Sequence, residues 1–126
     1  MLFFKSNIDI TNLLNANEST LSKTLGKVVS REKHPGKYFS NFEKNGYLIT
    51  VRMSKGKASS FTIECSNGTT EAQISRDFGF NLSKTKLLMR NRFGSQYEFK
   101  QNLVSFYSWD GSKIHSLQYY SKTHKM

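Results

Sequence analysis

Few residues of this chain combine type and spacing in a way that would do chemistry. Glu98-Phe99-Lys100 is a Glu-x-Lys tripeptide, the element with which some nucleases set a metal ligand beside a charge-stabilising lysine. Such a centre needs a further carboxylate to hold Mg²⁺ near the scissile phosphate, and Asp77, with Glu64 and Glu71, is the nearest upstream candidate. A metal-free ribonuclease would instead need a general base, a general acid and a cation for the phosphorane charge; His34 and His115, with nearby lysines and arginines, fit that description. Plainer readings compete with both. Alternating polar residues on a strand account for Glu98 and Lys100, and exposure accounts for the two histidines. No nucleophile-elbow or phosphate-cradling glycine pattern occurs. Cys65 is the only cysteine, so no internal disulfide and no Cys/His zinc cluster is available. The reading leans away from an enzyme, with no metal and no cofactor expected.

Positive charge carries the stronger signal. Lys and Arg number 19 against 9 Asp and Glu, a net charge of +10, and a surplus of that size points to a polyanionic partner. Residues 70–92 hold Arg76, Lys84, Lys86, Arg90 and Arg92 in a patterned run. Thr70 followed by Gln73 has capping-box spacing, Ala72, Ile74, Ser75 and Phe78 supply small and apolar residues for a short helix, and Gly79 suits a tight turn. Asn81 or Ser83 would cap a second helix, with Leu87 and Leu88 inward and Lys84, Lys86, Arg90 and Arg92 outward; no acid interrupts Phe78 to Tyr97.

Residues 70–92 thus resemble the helix-turn-helix DNA-binding proteins. The resemblance implies that the second helix enters the DNA major groove, with Asn81, Ser83, Lys84 and Lys86 nearest the bases and Arg90 and Arg92 nearer phosphate. In a winged variant, Lys55 and Lys57 or the Asp110-Gly111 turn would touch the backbone as wing tips.

The elements that must position these residues follow from periodicity. Apolar residues at three- and four-residue steps predict a helical segment over residues 8–30, broken near Asn15 to Ser19. Ser30 to Gly36, with the only proline, reads as a linker. Alternation at Tyr47 to Met53 and Phe61 to Cys65 predicts a hairpin within a β region over residues 38–65, its tip carrying Lys55 and Lys57. Strand alternation returns over residues 96–121, where Asp110-Gly111 favours a type I′ turn, and residues 122–126 form a basic tail.

At 126 residues the chain has the length of one domain. The expected class is α+β: an N-terminal helical segment, a central helix-turn-helix-like pair and antiparallel hairpins. Neither a signal peptide nor a membrane-spanning run is evident, and a lone cysteine suits a reducing cytoplasm. The expected role is a DNA-binding regulator of transcription or of another DNA transaction, with duplex DNA favoured over RNA, no membrane partner and a possible homodimer. The alternative to nucleic acid is an acidic protein surface bound by a basic inhibitor or assembly protein, with Tyr107, Trp109, Tyr119 and Tyr120 as candidate anchors.

Overall fold

A computed structural model describes residues 8–122. Eight antiparallel strands dominate the described residues: β1 (Ser30–His34), β2 (Lys37–Lys44), β3 (Tyr47–Ser54), β4 (Lys57–Thr69), β5 (Lys86–Asn91), β6 (Gly94–Phe99), β7 (Asn102–Tyr107) and β8 (Ile114–Ser121). They form one sheet in the order β1-β2-β3-β4-β8-β7-β6-β5. Two meanders therefore meet at a seam between β4 and β8, in the middle of the sheet. Two short helices, α1 (Glu18–Leu25) and α2 (Glu71–Asp77), and a 3-10 turn at Leu82–Lys84 complete the described elements.

Strict alternation sends one set of side chains to each face. Ile49, Val51, Phe61, Ile63, Leu117, Tyr119, Val104 and Phe106 are wholly buried on one face, beneath Ile10, Leu21, Leu25, Ile74, Phe78 and Phe80. The opposite face carries a polar row in register across six strands: Asn41, Thr50, Thr62, Gln118, Ser105 and Gln96. One face is thus apolar and covered, the other polar, as antiparallel sheets permit.

Both helices start at sequence-encoded caps. The Asn17 side chain accepts from the Thr20 N–H at 2.9 Å, and Thr70 Oγ1 accepts from the Gln73 N–H at 3.0 Å. Tertiary bonds then fix each helix to the sheet. Glu18 on α1 receives hydrogen bonds from Arg31 and from Ser40 Oγ. At the two ends of α2, the Tyr47 hydroxyl of β3 donates to Asp77, and the Tyr97 hydroxyl of β6 donates to Glu71 at 2.6 Å. Because β3 and β6 lie on opposite sides of the seam, this short helix clamps the two meanders together.

Several expectations are overturned. The chain is nearly all-β rather than α+β, and the helix expected over residues 8–30 is confined to Glu18–Leu25. Before it, Ile8 and Ile10 donate their backbone N–H groups to Asp77 and Phe78, Asn15 donates to Ala58, and only the isolated turns closed by Leu13 to Ile10 and Ala16 to Leu13 are local, so the stretch is tied down mainly by other elements. Ser30 to Gly36 is no linker but an edge strand and its turn. The loop around Asp110-Gly111 runs from Ser108 to Lys113, longer than a two-residue type I′ turn.

The helix-turn-helix is the largest correction. After α2 and the left-handed Gly79 (φ +90°), the chain makes one 3-10 turn and then enters β5. Leu87, Leu88 and Met89 are consecutive, which gives no helical stripe, whereas pairing with β6 satisfies the backbone of Lys86 to Asn91. Phe61 lies at the centre of the covered face, so Phe61→Ala should cost about 3–5 kcal/mol. Val29→Ala, at a position 58% exposed, should stay within about 0.5 kcal/mol; denaturant unfolding of both variants checks this.

Candidate functional site

The expected catalytic groups do not converge. Tyr97 and Phe99 point to the covered face, so Glu98 between them points to the polar face, where Lys122 Nζ donates to it at 3.2 Å. Asp77 lies on α2 over the covered face, held by Tyr47 and by Gln73 Nε2 at 2.9 Å. The sheet itself therefore separates the two carboxylates. Lys100 sits in the β6–β7 turn with its ammonium 5.3 Å from the Phe99 ring centre. Among the described residues no three His, Cys, Asp or Glu side chains gather as a metal site. His34 and His115 lie on β1 and β8, four strand spacings apart, roughly 19 Å at the usual interval, and near opposite strand ends. No acid–base pair forms. His34 packs edge-on against Phe39, and buried His115 accepts the Trp109 N–H on Nδ1 at 3.1 Å.

The expected nucleic-acid-binding residues are also dispersed. Asn81 Oδ1 accepts from the Ser83 N–H and hydroxyl, locking the 3-10 turn that carries Ser83 and Lys84. Lys86 and Arg90 belong to β5, and Arg90 is engaged by Glu71 at 3.2 Å and by Tyr97. Arg92 lies just beyond, its guanidinium 5.2 Å from the Phe93 ring centre. Lys55 and Lys57 flank the β3–β4 turn, four to five strand spacings from β5. No recognition helix exists to carry any of them to a groove.

The structure instead concentrates exposed apolar residues along the β5 edge of the sheet. The two edges differ sharply. β1 exposes Ser30, Arg31, Glu32, Lys33 and His34, the charged lining that discourages pairing with another chain. β5 is exposed along its whole length and carries Leu87, Leu88 and Met89, each more than 40% exposed. Met89, Phe93 and Tyr107 line one cavity of about 200 Å³ on this flank, with Gln96 and Ser105. Trp109, 62% exposed, follows Ser108, whose N–H donates to the Phe93 carbonyl at 2.8 Å. Lys84, Lys86, Arg90 and Arg92 lie on or next to β5, Arg90 paired with Glu71, and no acid occurs between Phe78 and Tyr97.

Local bonds hold the strip in place. The Trp109 indole stacks on the His115 ring at 4.5 Å, nearly coplanar. Asp110 accepts from the backbone N–H of Ser112 at 2.8 Å and of Lys113 at 3.0 Å, and from the Ser108 hydroxyl. Those bonds, the backbone ones foremost, depress its carboxyl to a pKa of about 2. Behind β5, burial and then the bond to Glu71 push the Tyr97 hydroxyl up, keeping it a donor to that carboxylate at neutral pH. Of the four aromatic anchors read from the last hairpin, Tyr107 and Trp109 are exposed, Tyr119 is wholly buried and Tyr120 is half-buried. Met89 and Phe93 were missing from that set. Their signal was the apolar run Leu87-Leu88-Met89 between Lys86 and Arg90, too compact for a helix face.

One antiparallel sheet covered on a single face defines the architectural class. No protein-family model and no curated protein matches the chain. Two solved structures share the fold. A cysteine-rich secretory protein of Staphylococcus aureus subsp. aureus Mu50 aligns with a TM-score of 0.62 and 12% identity over 90% of this chain and 45% of its own. An extracellular protein containing a SCP domain from Bacillus anthracis str. Ames aligns with a TM-score of 0.64 and 8% identity over 96% of this chain and 48% of its own. The chain spans less than half the length of either. At such identity the likeness is one of fold, and with the β5 geometry it overturns the helix-turn-helix resemblance and the DNA-binding regulator read from it. Among the described residues no helix is long and apolar enough to cross a membrane.

The depressed Asp110 carboxyl sets a pH dependence with a defined sign. Its contribution to stability is present above the ordinary value of 3.8 and is lost as pH falls through about 2. Asp110→Ala should therefore lose less stability than the parent across that window, read by denaturant titration with Trp109 fluorescence.

Proposed function

We propose that this chain is a non-catalytic binding module whose β5 edge and Trp109 loop seat an acidic partner protein through an extended segment. The observation that carries this reading is the contrast between the two sheet edges. A solvent-exposed edge strand lined by Leu87, Leu88 and Met89 is a template for pairing, whereas β1 is charged throughout its centre. The partner segment would place apolar side chains against Met89, Phe93, Tyr107 and Trp109, and Asp or Glu side chains against Lys86 and Arg92. Exposed aromatic residues with a basic rim have the composition of a binding hot spot.

The net charge of +10 favours an acidic partner over a second, equally basic copy of this chain. The register shift between Leu87 and Met89 leaves Leu88 as an extra residue and bends the edge that any partner strand must follow. For location, the lone Cys65 suits a reducing cytoplasm and equally a disulfide-free exterior. That one structural neighbour is a secretory protein and another an extracellular one inclines the reading to the exterior.

A synthetic peptide alternating Leu or Val with Glu is the direct probe. Titrated into isotope-labelled protein, it should shift the backbone resonances of residues 86–93 and 107–109, and Met89→Asp with Phe93→Asp should weaken binding at least about tenfold. A poly-Glu peptide binding as tightly, or no loss in the double variant, would reduce the edge to diffuse charge attraction. Concentration-dependent dimerisation abolished by the same double variant would assign the edge to self-association.

A further inference from the structure

The imidazole of His115 stands between two partners that favour opposite protonation states. The residue belongs to β8, is 6% exposed, and its ring lies flat against the Trp109 indole, the ring centres 4.5 Å apart. On one side Nδ1 accepts the Trp109 backbone N–H at 3.1 Å. A ring nitrogen accepts only while it carries no proton, so this bond holds the neutral ring with its proton on Nε2. On the other side Nε2 lies 4.0 Å from Asp110 Oδ2. That carboxyl, depressed to a pKa of about 2 by its bonds to the Lys113 and Ser112 amides, is charged throughout the range in which histidines ordinarily titrate, and it attracts the protonated ring.

The surrounding elements add charge at a greater remove. Lys113, in the same loop, lies against Gly68 of β4, as His115 Nε2 does: a Cβ on Gly68 would meet them at 2.7 and 3.1 Å. On β4, Glu64 opposes Ser116 and so stands on the polar face, while Cys65 packs against the core. Beyond β7, the Ser108 hydroxyl donates to Asp110 and accepts the Gly111 N–H. Glu71 of α2 and Arg92 line a small cavity with Ser108, Gly111 and Ile114 on the same flank, and Glu71 is already held by Ser95, Tyr97 and Arg90. Histidine is the side chain that ordinarily changes charge between about pH 5 and 8.

We propose that His115 is an acid-released latch on the loop from Ser108 to Lys113. A proton taken from solvent places a second N–H on the ring, at Nδ1, pointing at the Trp109 N–H. Two donors then face each other with no acceptor between them. The amide is released while the charged ring stays with the Asp110 carboxylate, and the Trp109 indole leaves its stacked position. Attraction of the charged ring to the indole face opposes this step, but Trp109 is 62% exposed, and solvent weakens such an attraction. Because Trp109 anchors the proposed β5-edge site, the latch makes seating of a partner there acid-labile; that consequence rests on the edge reading, and the latch itself does not.

Nitrogen-edited NMR of the unliganded full chain, titrated between about pH 8 and 5, tests the latch. At the alkaline end the His115 ring should show a bare Nδ1 and a protonated Nε2, with the Trp109 amide protected from hydrogen exchange. Through the His115 titration that protection, corrected for the intrinsic exchange rate, should fall about tenfold. The fluorescence of Trp109, the only tryptophan, should change with the same midpoint. His115→Asn, whose side-chain carbonyl can stand in for Nδ1 without titrating, should hold the protection constant. His34→Asn, on the far edge strand β1, should leave the transition intact. If His115→Asn fails to fold, the parent titration and His34→Asn carry the test. A protonated Nδ1 at the alkaline end, protection unchanged through the His115 titration, a transition that persists in folded His115→Asn, or one abolished by His34→Asn would each overturn the latch. None of these measurements involves a partner, so failure of the latch and failure of the β5 edge are read separately.

Discussion

Tyr119 is the interaction on which the arrangement rests. It lies on β8, at the seam, and is wholly buried. Its ring meets Phe61 across the seam and Phe80 above it. Its hydroxyl donates to the Thr11 carbonyl at 2.8 Å and accepts from Asn102 Nδ2 at 2.9 Å. One side chain thus joins both meanders, the N-terminal cover and the segment that follows α2. Burial pushes this phenol's pKa up, so it remains a hydrogen-bond donor throughout the range in which the protein would operate. A buried phenol with both bonds satisfied adds specificity that hydrophobic packing alone lacks.

With the covered face committed to this core, function is left to the periphery. The cations are not gathered into one field: Lys55 and Lys57 flank one hairpin while Lys84, Lys86, Arg90 and Arg92 border the β5 edge four to five strand spacings away. A positive surplus distributed this way raises encounter rates with acidic partners without defining a groove for a duplex. Six of the eight large hydrophobics exposed among the described residues, Leu87, Leu88, Met89, Phe93, Tyr107 and Trp109, lie at or near the β5 edge, and this concentration is what the proposed binding role rests on.

Legibility in the sequence followed the range of the interaction. Strand alternation at Tyr47 to Met53 and at Phe61 to Cys65 reads directly, as does the Thr70 cap, because each depends on neighbouring residues alone. Asn45-Gly46 and Lys55-Gly56, both pairs with positive φ, show where tight two-residue hairpin turns form; Asp110-Gly111 has the same composition, yet its carboxylate is drawn into bonds with Ser112 and Lys113 that open a longer loop. Residues 81–92 were misread because basic residues and leucines suit a helix by propensity, whereas the pairing of β5 with β6 is a tertiary event.

The strand order has a consequence for how the molecule comes to exist. β8, the last described strand in the chain, occupies a central place between β4 and β7. The first four strands and the next three can each zip up from local turns, but neither half acquires its inner neighbour until β8 arrives. Contacts such as Ile63 to Leu117 close long loops, which makes their formation the slow, entropically costly stage of folding. On a ribosome, both half-sheets would wait with open inner edges for the final strand, and that interval is when the chain is most exposed to mispairing with its neighbours.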